Sequence, residues 1–111
     1  DNVFYNLSQI EAIASGNQEF IDKMVAMFLD FTPDLIARID SGIAPEDWDE
    51  VKAAAHKMKP SIDMMGIDSL HSVVREVEDR AKNRRELDSI SQPFNELKTT
   101  LESVFQQLRN R

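Results

Sequence analysis

The stretch Ala55-His56-Lys57-Met58-Lys59-Pro60-Ser61-Ile62-Asp63-Met64-Met65-Gly66 decides how the rest of the chain is read. Extended back to Trp48, it places apolar side chains at Trp48, Val51, Ala55, Met58, Ile62 and Met65. The steps alternate between three and four residues, which draws one stripe along a single helix that ends near Gly66. At about 100° per residue, His56 points roughly 125° away from the middle of that stripe. The sequence therefore predicts an imidazole held out to solvent by a helix whose other face is buried.

The neighbours of His56 give that exposure a chemical direction. Lys52 lies one turn before it and Lys59 one turn after it, on nearby azimuths. Ala53 and Pro60 are the other turn-neighbours, and both are compact. Two nearby cations disfavour the imidazolium and so favour the neutral ring, whose lone pair is what a nucleophile needs. The same cations attract a phosphoryl group arriving at the ring, and compact flanks let a second protein come close. A solvated histidine without chemistry would occupy the same helical position. A metal site is less favoured, because no second histidine, cysteine or carboxylate stands at ligand spacing and Asp63 is two turns away.

Length and composition narrow the classes. The 111 residues suffice for one domain, 1–111, around one core. There is no cysteine, hence no disulfide framework and no thiolate chemistry, which suits a reducing, cytoplasmic setting. No apolar run approaches the roughly 20 residues that would insert in a membrane. The first residue is Asp1 rather than methionine, which leads us to expect a domain excised from a larger protein. A formal net charge of −7 argues against nucleic acid as a partner and makes the lysines around His56 stand out. Glycine and proline are scarce and strand-like alternation is absent, so the expected class is all-α.

Taken in order, the chain reads as one short helix and four long ones. Asn6 can cap a helix from Leu7 to about Ser15 that lies as a lid over one end of a bundle, with Gly16 ending it. Asn17 can cap a second helix running to about Ser41. Its core stripe is expected at Phe20, Met24, Met27, Phe31 and Leu35, with Ile21, Val25 and Leu29 forming a second apolar strip that is a candidate contact surface. Pro45 suits the first position of the His56 helix. A fourth helix, from about Asp68 to Asn83, buries Ile67, Leu70, Val74, Val77 and Ala81, with His71 at its boundary. The last begins between Asp88 and Pro93, runs to about Leu108 and buries Phe94, Leu97, Leu101, Val104 and Leu108. Short connections between long amphipathic helices predict an antiparallel up-down-up-down four-helix bundle with a short N-terminal helix.

The string Ala55-His56-x-x-Lys59-Pro60-Ser61-x-x-x-x-Gly66-x-x-x-Leu70 resembles the signature of histidine-phosphotransfer (HPt) domains of bacterial phosphorelays, with Met58 where leucine is usual and Pro60 where glycine is commoner. The resemblance extends over nearly the whole chain. It implies a four-helix bundle that carries a phosphoryl group on His56 between aspartates of receiver domains in two-component signalling. It implies Lys59 and Lys52 as stabilisers of the phosphoryl oxygens. Partner docking would use Ala53, Pro60 and Lys57 on the histidine helix and the strip Ile21, Val25, Leu29 on the helix before it. Mg²⁺ would belong to the receiver, so no cofactor is expected in this chain. A monomer is the usual state.

An autokinase is disfavoured, since no glycine-rich nucleotide loop is present. A di-metal carboxylate bundle is disfavoured too, since no Glu-x-x-His pair occurs. The competing reading is a non-catalytic helical protein-interaction module in which His56 is incidental.

Overall fold

A computed structural model describes residues 2–111. Among these the regular structure is entirely helical: α1 (Ser8–Ala14), α2 (Gln18–Ile43), α3 (Trp48–Met64), α4 (His71–Asn83, entered through a 3-10 turn at Asp68–Leu70) and α5 (Ser91–Arg109, preceded by a 3-10 turn at Leu87–Ser89). The long helices form a bundle in which α3 packs against α2 and α4, α4 against α5, and α5 closes on α2. α1 lies on α2 and buries Ile10, the lid position the sequence suggested.

Three of the predicted stripes are the observed core. Every residue of the α3 stripe from Trp48 to Met65, of the α4 stripe from Ile67 to Ala81 and of the α5 stripe from Phe94 to Leu108 is buried. Removal of that much apolar surface from water is the main stabilising term of such a bundle. Phe28 of α2 and Phe105 of α5 meet with ring centroids 5.6 Å apart and planes tilted by 59°, a favourable aromatic geometry.

On α2 the reading was rotated by about one residue. Ile21, Val25, Phe28, Thr32, Ile36 and Ile39 face the core. Ile21 and Val25 are only 5% and 4% exposed, and Leu29 is half-buried against the core, so the strip expected to dock partners is largely interior. The strip expected to be core is instead the outer one, with Phe31 61% and Met27 41% exposed. The physical reason lies in continuation. The inner stripe runs on to Ile36 and Ile39, whereas the outer one runs into Arg38 and solvent. Thr32, polar yet buried, interrupts the inner stripe and hid it.

The helix ends explain where each element stops. Asn17 caps α2, its side-chain oxygen accepting from the Phe20 amide at 3.2 Å. α2 continues past the expected turn to Ile43, because Gly42 fits against Val51, where a Cβ would lie 3.0 Å from its Cγ2. The chain then turns with Glu46 in the left-handed region at φ 60°. The Asp47 amide donates to the Gly42 carbonyl and the Glu46 amide to that of Ile43, the double bond of a Schellman turn. Pro45 therefore sits in the turn, not at the first helical position, and Asp47 caps α3 by accepting from the Glu50 amide at 3.3 Å. Gly66 ends α3 in the same way, at φ 63°, with the Ile67 amide reaching the Ile62 carbonyl. The Asn6 backbone packs directly on Gly66, and the Asn6 amide donates to the Met65 carbonyl at 2.9 Å, which pins the N-terminal lead to this turn. The Asn6 side chain accepts from the Ser8 amide at 2.9 Å, but α1 starts at Ser8 with Leu7 at the cap position, so Asn6 holds the turn before the helix and is not its cap.

Side-chain pairs cross-link neighbouring helices. Arg38 forks onto Glu50 between α2 and α3, Arg75 meets Asp63 between α3 and α4, and Lys98 reaches Asp40 between α5 and α2. His56 and Glu78 lie equally far in sequence from Ile67, as do Asp63 and His71, and both pairs are in contact. The α3–α4 register is thus fixed by the turn at Gly66 and Ile67.

Candidate functional site

His56 stands where its helical position put it, midway along α3 and with 68% of its side chain exposed. The ring is not free to turn. Its Nδ1 atom is 2.6 Å from Oε2 of Glu78 on α4. The other oxygen of that carboxylate lies 2.8 Å from Nζ of Lys59. Glu78 is itself only 16% exposed, held between the two helices.

The protonation of this triad follows from its charges. Burial pushes the Glu78 carboxyl up, but the hydrogen bonds from Lys59 and His56, and their charge, together outweigh it and hold the group below the usual carboxylate range. An ionised carboxylate can only accept, so Nδ1 of His56 carries a proton and donates it. In the neutral ring the lone pair is then on Nε2, the edge turned away from Glu78. Glu78 thus selects the tautomer and orients the ring.

Glu78 was not found from the sequence. The reading expected only cations around the ring, and Lys59 as a ligand for phosphoryl oxygens. In the structure Lys59 is half-buried and committed to Glu78. One signal was present: two antiparallel helices joined at Ile67 bring residues equidistant from it face to face, and Glu78 is the residue opposite His56.

Towards the N-terminal end of α3, His56 borders an open depression of about 430 Å³ lined by Lys52, Ala53, Lys57, Glu78 and Lys82. Among the described residues Lys52, Lys57 and Lys82 make no ion pair, although the chain is acidic overall. Lys82 is a further residue that sequence reading does not find; it stands in the basic last turn of α4. The arginines of that end are in fact spent on carboxylates: Arg80 and Arg85 on Glu76, and Arg84 on Asp49.

Ala53 and Pro60 border His56 on the outer face of α3, with Pro60 exposed and Ala53 half-buried. Pro60 has no amide hydrogen, so the His56 carbonyl lacks its usual donor one turn on. Lys57 is exposed at the outer rim of that depression, and it also adds to the charges acting on Glu50 on the α2 side of α3. On that side a groove of about 120 Å³ runs between α2 and α3, with Met24, Met27, Phe31, Leu35 and Met64 along it and Ser61 in its wall. This is the exposed apolar strip that replaces Ile21, Val25 and Leu29.

His71, the other histidine, is exposed and belongs to a separate cluster. Its Nδ1 lies 3.0 Å from Asp63 and 3.1 Å from Nη1 of Arg75, and Arg75 also pairs with Asp63 at 2.8 Å. Another surface cavity, about 630 Å³, lies between α2 and α5 around Pro33, Ala37 and Arg109 and shares no residue with the surroundings of His56.

A protein-family model described as "Hpt domain" matches residues 23–110. No curated protein and no solved structure matches the chain.

Proposed function

From the premise that the chain belongs to the Hpt domain family over residues 23–110, we propose that His56 is its phospho-accepting residue. The family function is histidine phosphotransfer in phosphorelay signalling, and its members exchange phosphoryl groups with receiver domains of response regulators and kinases. The observation that carries the assignment to His56 is the Glu78 carboxylate on Nδ1 at 2.6 Å, which leaves Nε2 as the unprotonated nitrogen of a ring that is 68% exposed.

The step needs no proton transfer by this chain. Nε2 of His56 attacks the phosphorus of a receiver's phospho-aspartate in line. The N–P bond forms as the O–P bond breaks, and the electron pair leaves with the aspartate carboxylate. Nδ1 keeps its proton throughout, and the positive charge that appears on the ring is met by Glu78. Passing the group to a second receiver reverses these events. Positioning and charge do the catalytic work. The metal ion belongs to the receiver, and this chain supplies no cofactor.

The receiver would rest on the groove of Met27, Phe31 and Met64, with Ala53, Pro60 and Lys57 at its edge beside His56. Exposed aromatic and methionine side chains next to a reactive group support this use, since such side chains are adaptable contact surfaces. We read the bundle as up-down-up-down and antiparallel, supported by the Arg38–Glu50, Asp63–Arg75 and Asp40–Lys98 pairs. We read the working form as a monomer, since His56, Glu78 and Lys59 all come from one chain.

The test is incubation with a receiver domain charged from radiolabelled acetyl phosphate. Acid-labile label on the chain, lost in His56→Gln, is expected. Label kept by His56→Gln would overturn the assignment, and binding of the receiver without any label would leave only an interaction module.

A further inference from the structure

Lys52 and Lys82 stand at the same level on either side of the α3–α4 seam. They are equally far from Ile67, as are the contacting pairs His56–Glu78 and Asp63–His71, and both line the depression beside His56. Neither makes an ion pair among the described residues, nor does Lys57 at the outer rim of the depression, whereas Lys59, Arg75 and Arg84 along the α3–α4 seam each hold a carboxylate. Glu78 also lines the depression but is engaged by His56 and Lys59, and Asp79 acts on Lys82 only at longer range, so the two facing ammonium groups keep room for an anion between them.

The position of the imidazole says which anion. Side chains on a helix lean towards its N-terminus, so the His56 ring lies over the turn that carries Lys52 and Ala53. His56 lines the depression together with Lys52 and Lys82, and with Nδ1 held by Glu78 it is Nε2 that is left to carry a group. Lys59 leans the same way from one turn beyond and reaches Glu78, not that space. A phosphoryl group on Nε2 therefore enters between Lys52 and Lys82, with small Ala53 leaving room beneath it.

Building on the reading of His56 as the acceptor, we propose that Lys52 and Lys82 together clamp the phosphoryl oxygens from two helices, and that Lys59 acts only as a positioning residue through Glu78. Ammonium groups on long stems suit this task. They adjust to the group as it arrives, in the transition state and once it is bound, without a fixed fork geometry. Each oxygen contact is charge-assisted and no bond to the lysines forms or breaks.

The experiment compares Lys52→Gln, Lys82→Gln, their double variant, Lys59→Gln and Glu78→Ala by rapid quench, using a receiver domain that labels the unaltered chain. Glutamine keeps most of each stem and its packing. Lys82→Gln and Lys52→Gln should each slow phosphoryl transfer about tenfold, as expected for loss of one charge-assisted contact to the reacting group. Lys82→Arg should recover most of the rate. Because facing charges are relieved, Lys82→Gln should also unfold at the same temperature as the unaltered chain or higher, which a structural role would not produce. Lys82→Gln should remain harmful in a Glu78→Ala background, while Lys59→Gln should add nothing there. Transfer by Lys82→Gln at the unaltered rate, with His56→Gln still unlabelled, would sink the clamp and leave the acceptor assignment standing. Persistent label in His56→Gln would instead remove the premise. Additive loss from Lys59→Gln in the Glu78→Ala background would overturn the division of labour.

Discussion

Glu78 reaches across from α4 to hold Nδ1 of His56 at 2.6 Å. That bond joins a residue found by local spacing to one found only by folding. Removing it is expected to leave the bundle folded and the ring loose. Glu78→Ala should lower the transfer rate about 10- to 100-fold, the worth of a hydrogen bond to a charged group. Glu78→Gln, which can still accept from Nδ1 but lacks the charge, should fall between. Single-turnover transfer with circular dichroism as the folding control decides it, and an unimpaired Glu78→Ala would remove Glu78 from the mechanism.

Phe28 and Phe31 are separated by less than one helical turn and share a groove, yet Phe28 is buried in the core while Phe31 is 61% exposed. Phe28→Ala should destabilise the chain by about 3–5 kcal/mol, since it empties a site packed on Phe105. Phe31→Ala should change stability by no more than about 0.5 kcal/mol and instead weaken receiver binding. Urea unfolding and a titration with the receiver separate the two. Equal stability losses would show that the α2 face has been misassigned.

Gly66 and Gly16 both adopt positive φ, but only Gly66 has the chain against it. An added Cβ at Gly66 would overlap the Asn6 carbonyl oxygen and lie 2.8 Å from the Asn6 Cβ, while at Gly16 it would meet nothing within 4 Å. Gly16→Ala should cost only the left-handed penalty, about 1–2 kcal/mol. Gly66→Ala should cost clearly more and release the N-terminal lead, seen as faster amide exchange at Asn6. Equal melting temperatures for the two variants would contradict this.

Acid should unfold the protein by a defined route. The Asp63 carboxyl is lowered first by the Arg75 hydrogen bond, and that of Glu76 by Arg80 and then Arg85. The Glu78 carboxyl is lowered despite its burial. Carboxyls depressed in the folded state add stability above their unfolded values, 3.8 for Asp63 and 4.5 for the glutamates, and lose it as pH falls through the lower folded values. The urea midpoint should therefore hold between neutral pH and about pH 5 and drop below about pH 4.5. A midpoint unchanged down to about pH 3 would deny these groups a net role.

How far the sequence could be read depended on the kind of information each feature needs. The stripes of α3, α4 and α5 repeat within one helix, so spacing alone located Trp48–Met65, Ile67–Ala81 and Phe94–Leu108. The exposure of His56 followed from the same periodicity. α2 defeated it because apolar residues cover two adjacent faces and Thr32 breaks the inner one. Only the continuation through Ile36 and Ile39 separates them. Lys59 and Lys52 could be placed near the ring, but not their partners, since whether a lysine is spent on a carboxylate depends on the neighbouring helix. Glu78 and Lys82 required the register across the Gly66 turn.

Because α3 has the apolar groove on its α2 side and the charged seam on its α4 side, the docking and the transfer proposed above fall to different neighbours of one rod. A relay must release each client before it meets the next. Residues such as Met27 and Phe31 can therefore drift to suit a new client, lengthening or shortening its stay, while the imidazole keeps the same temper towards phosphorus.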